Sequence, residues 1–201
     1  MDKKSFSELN EHKLRNCNLL VCVVASKTLK ELRNLKKLIV SYCMELKLVF
    51  NVRSETSHST EILQLLDKLI LINLPKLTQI INRKFSRFCQ NLQILRVQQC
   101  ESLNWLSVCQ MLKYMDISDR EALEEIIIIH KEEVMTGKTN FSQLKEVYLE
   151  NLAKLSTVFP SSCEFPSLEA LIIINCPALV TFLEVKDPPD SATSNSFLPN
   201  S

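Results

Sequence analysis

The sequence predicts an α/β repeat fold: an open, curved solenoid of about seven coils, with parallel β-strands on the concave face and loops and short helices on the convex face. Two observations carry that prediction. A spaced apolar pattern recurs along most of the 201 residues. Within each copy, apolar residues alternate with others at period two, the mark of a short strand with one face in and one face out.

The pattern is plainest in "LEALIIINCPAL", which begins at Leu168. With that leucine as position 0, Leu171 and Ile173 are positions 3 and 5, Cys176 is position 8 and Leu179 is position 11. The same template begins at Leu144 ("LKEVYLENLAKL"), Leu112 ("LKYMDISDREAL"), Leu92 ("LQILRVQQCESL"), Leu66 ("LDKLILINLPKL") and Leu35 ("LKKLIVSYCMEL"). A degraded copy, "LNEHKLRNCNLL", begins at Leu9 and puts His12 in an apolar slot. From the N-terminus the steps between copies are 26, 31, 26, 20, 32 and 24 residues. This is the leucine-rich repeat, whose usual period is about 20 to 29 residues. The two longer steps imply insertions.

Each coil alone cannot bury its inward face, so coils stack and the strands form one curved sheet. The inward set is Leu38, Val40, Leu69, Leu71, Leu95, Val97, Met115, Ile117, Val147, Leu149, Leu171 and Ile173. Position 8, where the chain leaves the strand, holds Cys17, Cys43, Leu74, Cys100, Arg120, Leu152 and Cys176. A thiol is small enough to bury and donates weakly. Arg120 is the misfit and is expected to reach solvent. On the convex side, residues 26–34 ("SKTLKELRN") suggest a short helix. Residues 54–66 suggest a polar insertion followed by a helical turn, and residues 129–143 a polar loop. The repeat domain is expected over residues 1–185, and the Pro/Ser/Asn-rich tail 186–201 is expected to be disordered.

Composition narrows the function. The net charge of +1 gives no electrostatic footprint for nucleic acid or anionic membrane. Gly137 is the only glycine, which disfavours any nucleotide-binding loop. The segment "TGKTN" (136–140) has the look of the end of a phosphate loop, but no glycine lies five residues before Gly137. The N-terminus has no apolar signal region. The longest apolar run, Leu19 to Ala25, is far short of the ~20 residues of a membrane span. An intracellular, soluble protein is expected, with its eight cysteines reduced. They form no Cys-x-x-Cys pair, and no metal or cofactor is expected. His12, His58 and His130 lie in different repeats, and a Cys17 or Cys22 nucleophile beside His12 is the only catalytic pairing to consider.

The order of the repeats adds a resemblance. The alternation of "LKKLIVSYCMEL", "LDKLILINLPKL" and "LQILRVQQCESL" resembles the C-terminal leucine-rich repeat region of plant coiled-coil, nucleotide-binding disease-resistance proteins. So does the series "EALEEIIIIHKEE", "FSQLKEVYLENLAKLSTVF" and "FPSLEALIIINCPALVTF". The likeness covers about residues 6 to 185. Departures are the short step from Leu92 to Leu112, read as a lost convex segment, and Ala153 where that family usually has Pro. The resemblance implies a cytoplasmic, non-catalytic recognition module in plant defence. Such a module senses a pathogen effector or guarded host protein, or restrains a nucleotide-binding switch. With no phosphate loop in it and no convincing polar cap, the chain reads as a fragment, a truncated product or a stand-alone repeat protein. A substrate receptor of a ubiquitin ligase is the alternative, although no adaptor-binding helical motif precedes Leu9.

A solenoid binds partners on its extended concave surface, so the outward positions 2, 4 and 6 matter most. Lys13, Arg15, Lys37 and Lys68 make the first three repeats basic. The next three run from Arg96 to Asp116, Glu146 and Glu150, with Tyr114 and Tyr148 as aromatic anchors. Arg96, Tyr114, Asp116, Glu146, Tyr148 and Glu150 are therefore the expected partner-binding residues. Ile70 and Ile72 in mid-array, and Ile172 and Ile174 near the end, add outward apolar residues.

Overall fold

The computed structural model describes residues 6–25, 27–52, 63–82, 90–120, 122–129, 139–159 and 162–183. Two single turns of 3-10 helix, Phe6–Glu8 and Leu29–Glu31, are the helices of the described residues. The second is what becomes of the short helix expected over 26–34. Everything else regular is strand, and each coil contributes two.

The first three coils carry β1 (Glu11–Arg15) and β2 (Cys22–Val24), β3 (Lys37–Ser41) and β4 (Leu48–Phe50), then β5 (Lys68–Ile72) and β6 (Gln79–Ile81). The fourth and fifth carry β7 (Ile94–Gln98) and β8 (Trp105–Cys109), then β9 (Tyr114–Ser118) and β10 (Glu125–Ile129). A short β11 (Thr139–Asn140) leads into the sixth coil, β12 (Glu146–Glu150) with β13 (Thr157–Phe159). A matching β14 (Cys163–Glu164) leads into the seventh, β15 (Ala170–Ile174) with β16 (Thr181–Leu183).

The first strand of every coil joins one seven-stranded parallel sheet in the order β1-β3-β5-β7-β9-β12-β15. Its register follows the template: Glu11, Lys37, Lys68, Ile94, Tyr114, Glu146 and Ala170 form one row across all seven strands. Positions 3 and 5 face inward. From Leu38 through Leu149 that set is 1% exposed or less. Leu171 and Ile173 lie in the same rows yet are 42% and 37% exposed. Among the described residues β15 pairs with β12 alone, so these two have a described coil on one side only.

The convex side differs from the loops and short helices expected. Every coil turns at position 11 and runs a second strand from position 13, and these strands also pair in parallel, as β2-β4-β6, β8-β10 and β13-β16. The template anticipated one strand per coil because in five coils the second has only three residues, too few to show an alternation, and β10 is an unbroken isoleucine run after Glu125. The segment "EIIII" is β10 of this second layer. The short fourth coil closes because β8 ends three residues before Leu112, and the Cys109 thiol donates to the Leu92 carbonyl at 3.3 Å. Behind the last coils, Phe141, Phe159, Phe165 and Phe182 pack ring against ring, with centroids 4.9 to 5.6 Å apart. Most of the insertion expected over 54–66, most of the loop expected over 129–143, and the tail 186–201 lie outside the described residues.

Candidate protein-interaction surface

The concave sheet brings the six expected residues together. Strand pairing sets Arg96 beside Asp116 and Asp116 beside Tyr148. It also sets Tyr114 beside Glu146 and Ser118 beside Glu150. The side chains then organise in two groups. In the first, Arg96 Nε lies 2.8 Å from Asp116 Oδ2, and another Arg96 nitrogen donates to the Tyr114 hydroxyl at 3.1 Å. The guanidinium also lies over the Tyr114 ring, 5.6 Å from its centroid. Gln98 Nε2 reaches both Asp116 oxygens at 3.1 and 3.2 Å. The Tyr114 hydroxyl, the strongest influence, and Asp116 push the Arg96 pKa up. In the second group, the Tyr148 hydroxyl donates to Glu150 at 2.6 Å, and this hydrogen bond pushes its pKa up to about 12.

The arrangement divides the six by availability. Asp116 is 4% exposed and its oxygens are taken by Arg96, Gln98 and Tyr114, so it holds neighbours in place. Glu146 is exposed, and Arg96, Tyr114, Tyr148 and Glu150 are half-exposed. At the basic end, Lys37 is paired with Glu11 at 3.0 Å, and Arg15 stacks over Tyr42 at 5.1 Å. Ile70 and Ile72 are half-buried, with Ile39 and Arg96 flanking Ile70.

The edge where the strands leave the sheet carries residues the outward rows do not include. Position 7 of every coil adopts positive φ, between 52° and 57°, at Asn16, Tyr42, Asn73, Gln99, Asp119, Asn151 and Asn175. Asn and Asp tolerate this left-handed conformation best among non-glycine residues, and five of these seven are Asn or Asp. That recurrence is the sequence signal for the edge, and it explains how a nearly glycine-free chain turns out of every strand. Asn175 Nδ2 donates to Asn151 Oδ1 at 3.0 Å, and Asn151 Nδ2 to Asp119 Oδ1 at 2.7 Å. Beside this ladder runs an open groove of about 600 Å³ lined by Glu101, Asp119, Asn151, Ala153, Asn175 and Pro177.

Position 8 lies just inside that edge. The thiols of Cys43, Cys100 and Cys176 donate to the position-6 carbonyl of their own coil at 3.3 to 3.4 Å. Cys17 makes the same contact at 3.6 Å. Arg120 overturns the solvent-reaching expectation: it is 0% exposed. It stacks between coils beside the Cys100 thiol, and its guanidinium nitrogens have no hydrogen-bond partner of good geometry. Burial brings its pKa down to about 10. The side chain projects inward because position 8 does so in every coil, whatever residue stands there.

The residues considered for catalysis have structural surroundings. His12 sits at position 3 opposite Leu38, half-buried, with its pKa lowered by burial. The Cys22 thiol donates to the Val24 carbonyl at 3.5 Å, and burial raises its pKa. His58 and His130 lie outside the described residues. Among the described residues no cluster of metal-ligating side chains forms. No helix among them is long and apolar enough to cross a membrane.

Two stacked layers of short parallel strands, one apolar seam and an exposed, side-chain-rich concave sheet define a leucine-rich repeat module. Residues 1–109, more than half of the chain, match the family described as plant disease resistance protein RPS2-like, leucine-rich repeats, and the chain belongs to that family. It is similar to disease resistance protein SUMM2 of Arabidopsis thaliana, at 31% identity over 97 residues, 47% of this chain and 11% of that protein. It is similar to disease resistance protein UNI of the same plant, at 34% identity over 102 residues, 49% of this chain and 11% of that protein. The likeness to probable disease resistance protein At1g61190, also from Arabidopsis thaliana, runs over 146 residues at 31% identity, 60% of this chain and 15% of that protein. The chain thus spans 11 to 15% of the length of these relatives. No solved structure matches it.

Proposed function

We propose that this chain is a non-catalytic recognition module in plant defence, working in the cytoplasm, and that the concave face of coils four to six carries the recognition. The partner is a protein: a pathogen effector, a guarded host protein, or the nucleotide-binding domain of a resistance protein. The observation that carries this reading is the preset array in which Arg96 holds Tyr114 and Glu150 holds Tyr148. Anchors fixed before contact lose little conformational entropy on binding. Aromatic and Arg side chains are the usual carriers of interface energy. Glu146 and Glu150 give the face an acidic rim suited to a basic patch on the partner. If the partner is a switch, binding shifts it only so far as one of its states is preferred.

The test is quantitative affinity purification from plant tissue with the wild-type chain, a Glu146→Lys/Glu150→Lys variant, and a convex-side Lys154→Glu control. Loss of a defined set of partners with the concave variant alone is expected. An unchanged partner set refutes the assignment. Asp116 is left intact because its reversal would disrupt the sheet itself.

A further inference from the structure

Position 8 puts one residue of each coil into a single inward column, and its first two members are both thiols. From the first coil to the seventh the column reads Cys17, Cys43, Leu74, Cys100, Arg120, Leu152 and Cys176. Leu74 separates Cys43 from Cys100, and Arg120 with Leu152 separates Cys100 from Cys176. The backbone holds Cys17 and Cys43 in register on both sides. Before them, the Asn16 N–H donates to the Ser41 carbonyl at 3.1 Å. After them, the same turn closes in each coil: the Leu20 N–H donates to the Cys17 carbonyl at 3.0 Å, and the Leu46 N–H to the Cys43 carbonyl at 3.3 Å. Thiols at this position reach back toward the preceding coil. Cys100 Sγ lies 4.0 Å from the Leu71 carbonyl oxygen, and Cys176 Sγ lies 3.9 Å from that of Leu149. In the second coil that direction leads to Cys17, and the Cys43 thiol meets both the backbone and the thiol of Cys17. In-register neighbours on adjacent strands stand about 4.8 Å apart, inside the Cα separation of about 4.4 to 6.8 Å that a disulfide spans. Both residues are free thiols.

We propose that Cys17 and Cys43 form a redox-modification site: hydrogen peroxide converts the two thiols to a disulfide that ties the first coil to the second, and a small dithiol reopens it. Cys17 is half-buried and Cys43 is 0% exposed, so Cys17 meets the oxidant. Its thiolate attacks one peroxide oxygen. The S–O bond forms, the O–O bond breaks and water leaves, giving a sulfenic acid. The Cys43 sulfur then attacks the Cys17 sulfur. The S–S bond forms, the S–O bond breaks, and the departing hydroxide takes the Cys43 proton and leaves as water. Two thiols and one peroxide thus give one disulfide and two waters. A dithiol reverses this by exchange, itself becoming the disulfide. Burial pushes the Cys43 pKa up, which keeps that thiol protonated until its neighbour is oxidised. Cys22, the nearest other cysteine in sequence, lies in the second strand layer opposite Leu48. Each coil of a solenoid touches only its neighbours, so the new bond strengthens the interface between the first coil, which carries Lys13 and Arg15, and the rest of the array.

Peroxide treatment of the reduced 201-residue chain, followed by non-reducing digestion and tandem mass spectrometry, tests this. A Cys17–Cys43 crosslink is expected as the main product, reversed by dithiothreitol. The oxidised chain is expected to melt about 5 to 8 °C above the reduced one, because the bond closes a long loop in the unfolded state. Cys43→Ser is expected to lose both the crosslink and the shift, and to leave a Cys17 sulfenic acid that dimedone captures. In the wild type, dimedone is expected to capture far less at Cys17 than at Cys176, whose neighbour in the column is Leu152. Cys176→Ser is expected to keep the crosslink. Oxidation that leaves Cys17 as a sulfinic acid or a dimedone adduct with no bond to Cys43 overturns the proposal. So does a main crosslink from Cys17 to Cys22 or Cys89, or a crosslinked chain that melts below the reduced one.

Discussion

Replacing Arg120 by leucine should stabilise the protein. Position 8 already accepts leucine in the third and sixth coils, where Leu74 and Leu152 are 0% exposed. Arg120 occupies the same slot at 0% exposure with no well-placed partner for its guanidinium. Burial lowers its pKa from the ordinary arginine value to about 10. The unfolded chain therefore holds this proton more tightly than the folded one. At neutral pH, where both are charged, the difference costs the fold about 3 kcal/mol, taking 1.36 kcal/mol per tenfold in proton affinity. The cost is present below pH 10 and fades as the pH rises above 10, where the folded form has lost the proton and the unfolded form keeps it. Leucine removes the charge and leaves some volume unfilled, so a net gain of about 1 to 3 kcal/mol is expected. For a chain of this size that is a rise in Tm of about 3 to 9 °C. Thermal melts at pH 7 of the wild type, Arg120→Leu and Arg120→Lys read it out. The leucine variant should melt highest, and the lysine variant, which keeps a charge in the slot, no higher than wild type. A leucine variant that melts below the wild type would show that Arg120 is compensated inside the fold and that its buried charge is not a net cost.

Other consequences follow at the strand-exit edge, in the polar cluster and at the thiols. Asn151→Ala loses both ladder hydrogen bonds and forces alanine into φ 54°, a cost of about 2 to 3 kcal/mol, while Asn151→Gly keeps the turn and should cost about 1 kcal/mol in urea titrations. Asp116→Ala removes the acceptor shared by Arg96, Gln98 and Tyr114. Chemical denaturation should show a loss of about 2 kcal/mol, moderated by Arg96's access to water. Iodoacetamide labelling at pH 7, followed by mass spectrometry, should find Cys17 and Cys176 modified well before Cys43, Cys100, Cys109 and Cys163. The last four are buried, and burial pushes the Cys163 pKa up to about 11, which further depletes its thiolate.

The first strand of each coil was legible because its apolar period is two and its flanking leucines are fixed, so the seven-strand order and register follow from the template alone. The second layer was not. Strands such as Leu48–Phe50 and Gln79–Ile81 are three residues long, too short to declare an alternation, and they exist because the coil above has one in register. Bringing Arg96, Tyr114, Asp116, Glu146, Tyr148 and Glu150 onto one face required only parity. Their division into anchored and available groups required side-chain geometry: a carboxylate between Arg96 and Gln98 is an internal acceptor, and its row in the template does not say so. Arg120 shows the opposite lesson. Its residue type argued for solvent, but the backbone at position 8 points inward regardless, and position outranked chemistry.

The fold sets one coil per template copy, with position 2 outward and in a single row. Adjacent strands of a sheet lie about 4.8 Å apart, and Glu11 and Glu146, both exposed, stand five strands apart in that row. Spin labels at Glu11→Cys and Glu146→Cys, with Cys17, Cys22, Cys89 and Cys176 changed to Ser, measure that span directly by pulsed electron resonance. A single narrow distribution near 24 Å at the backbone, widened only by the label arms, is the expected result. A broad distribution, or one centred beyond about 40 Å, would contradict the stacked-coil sheet.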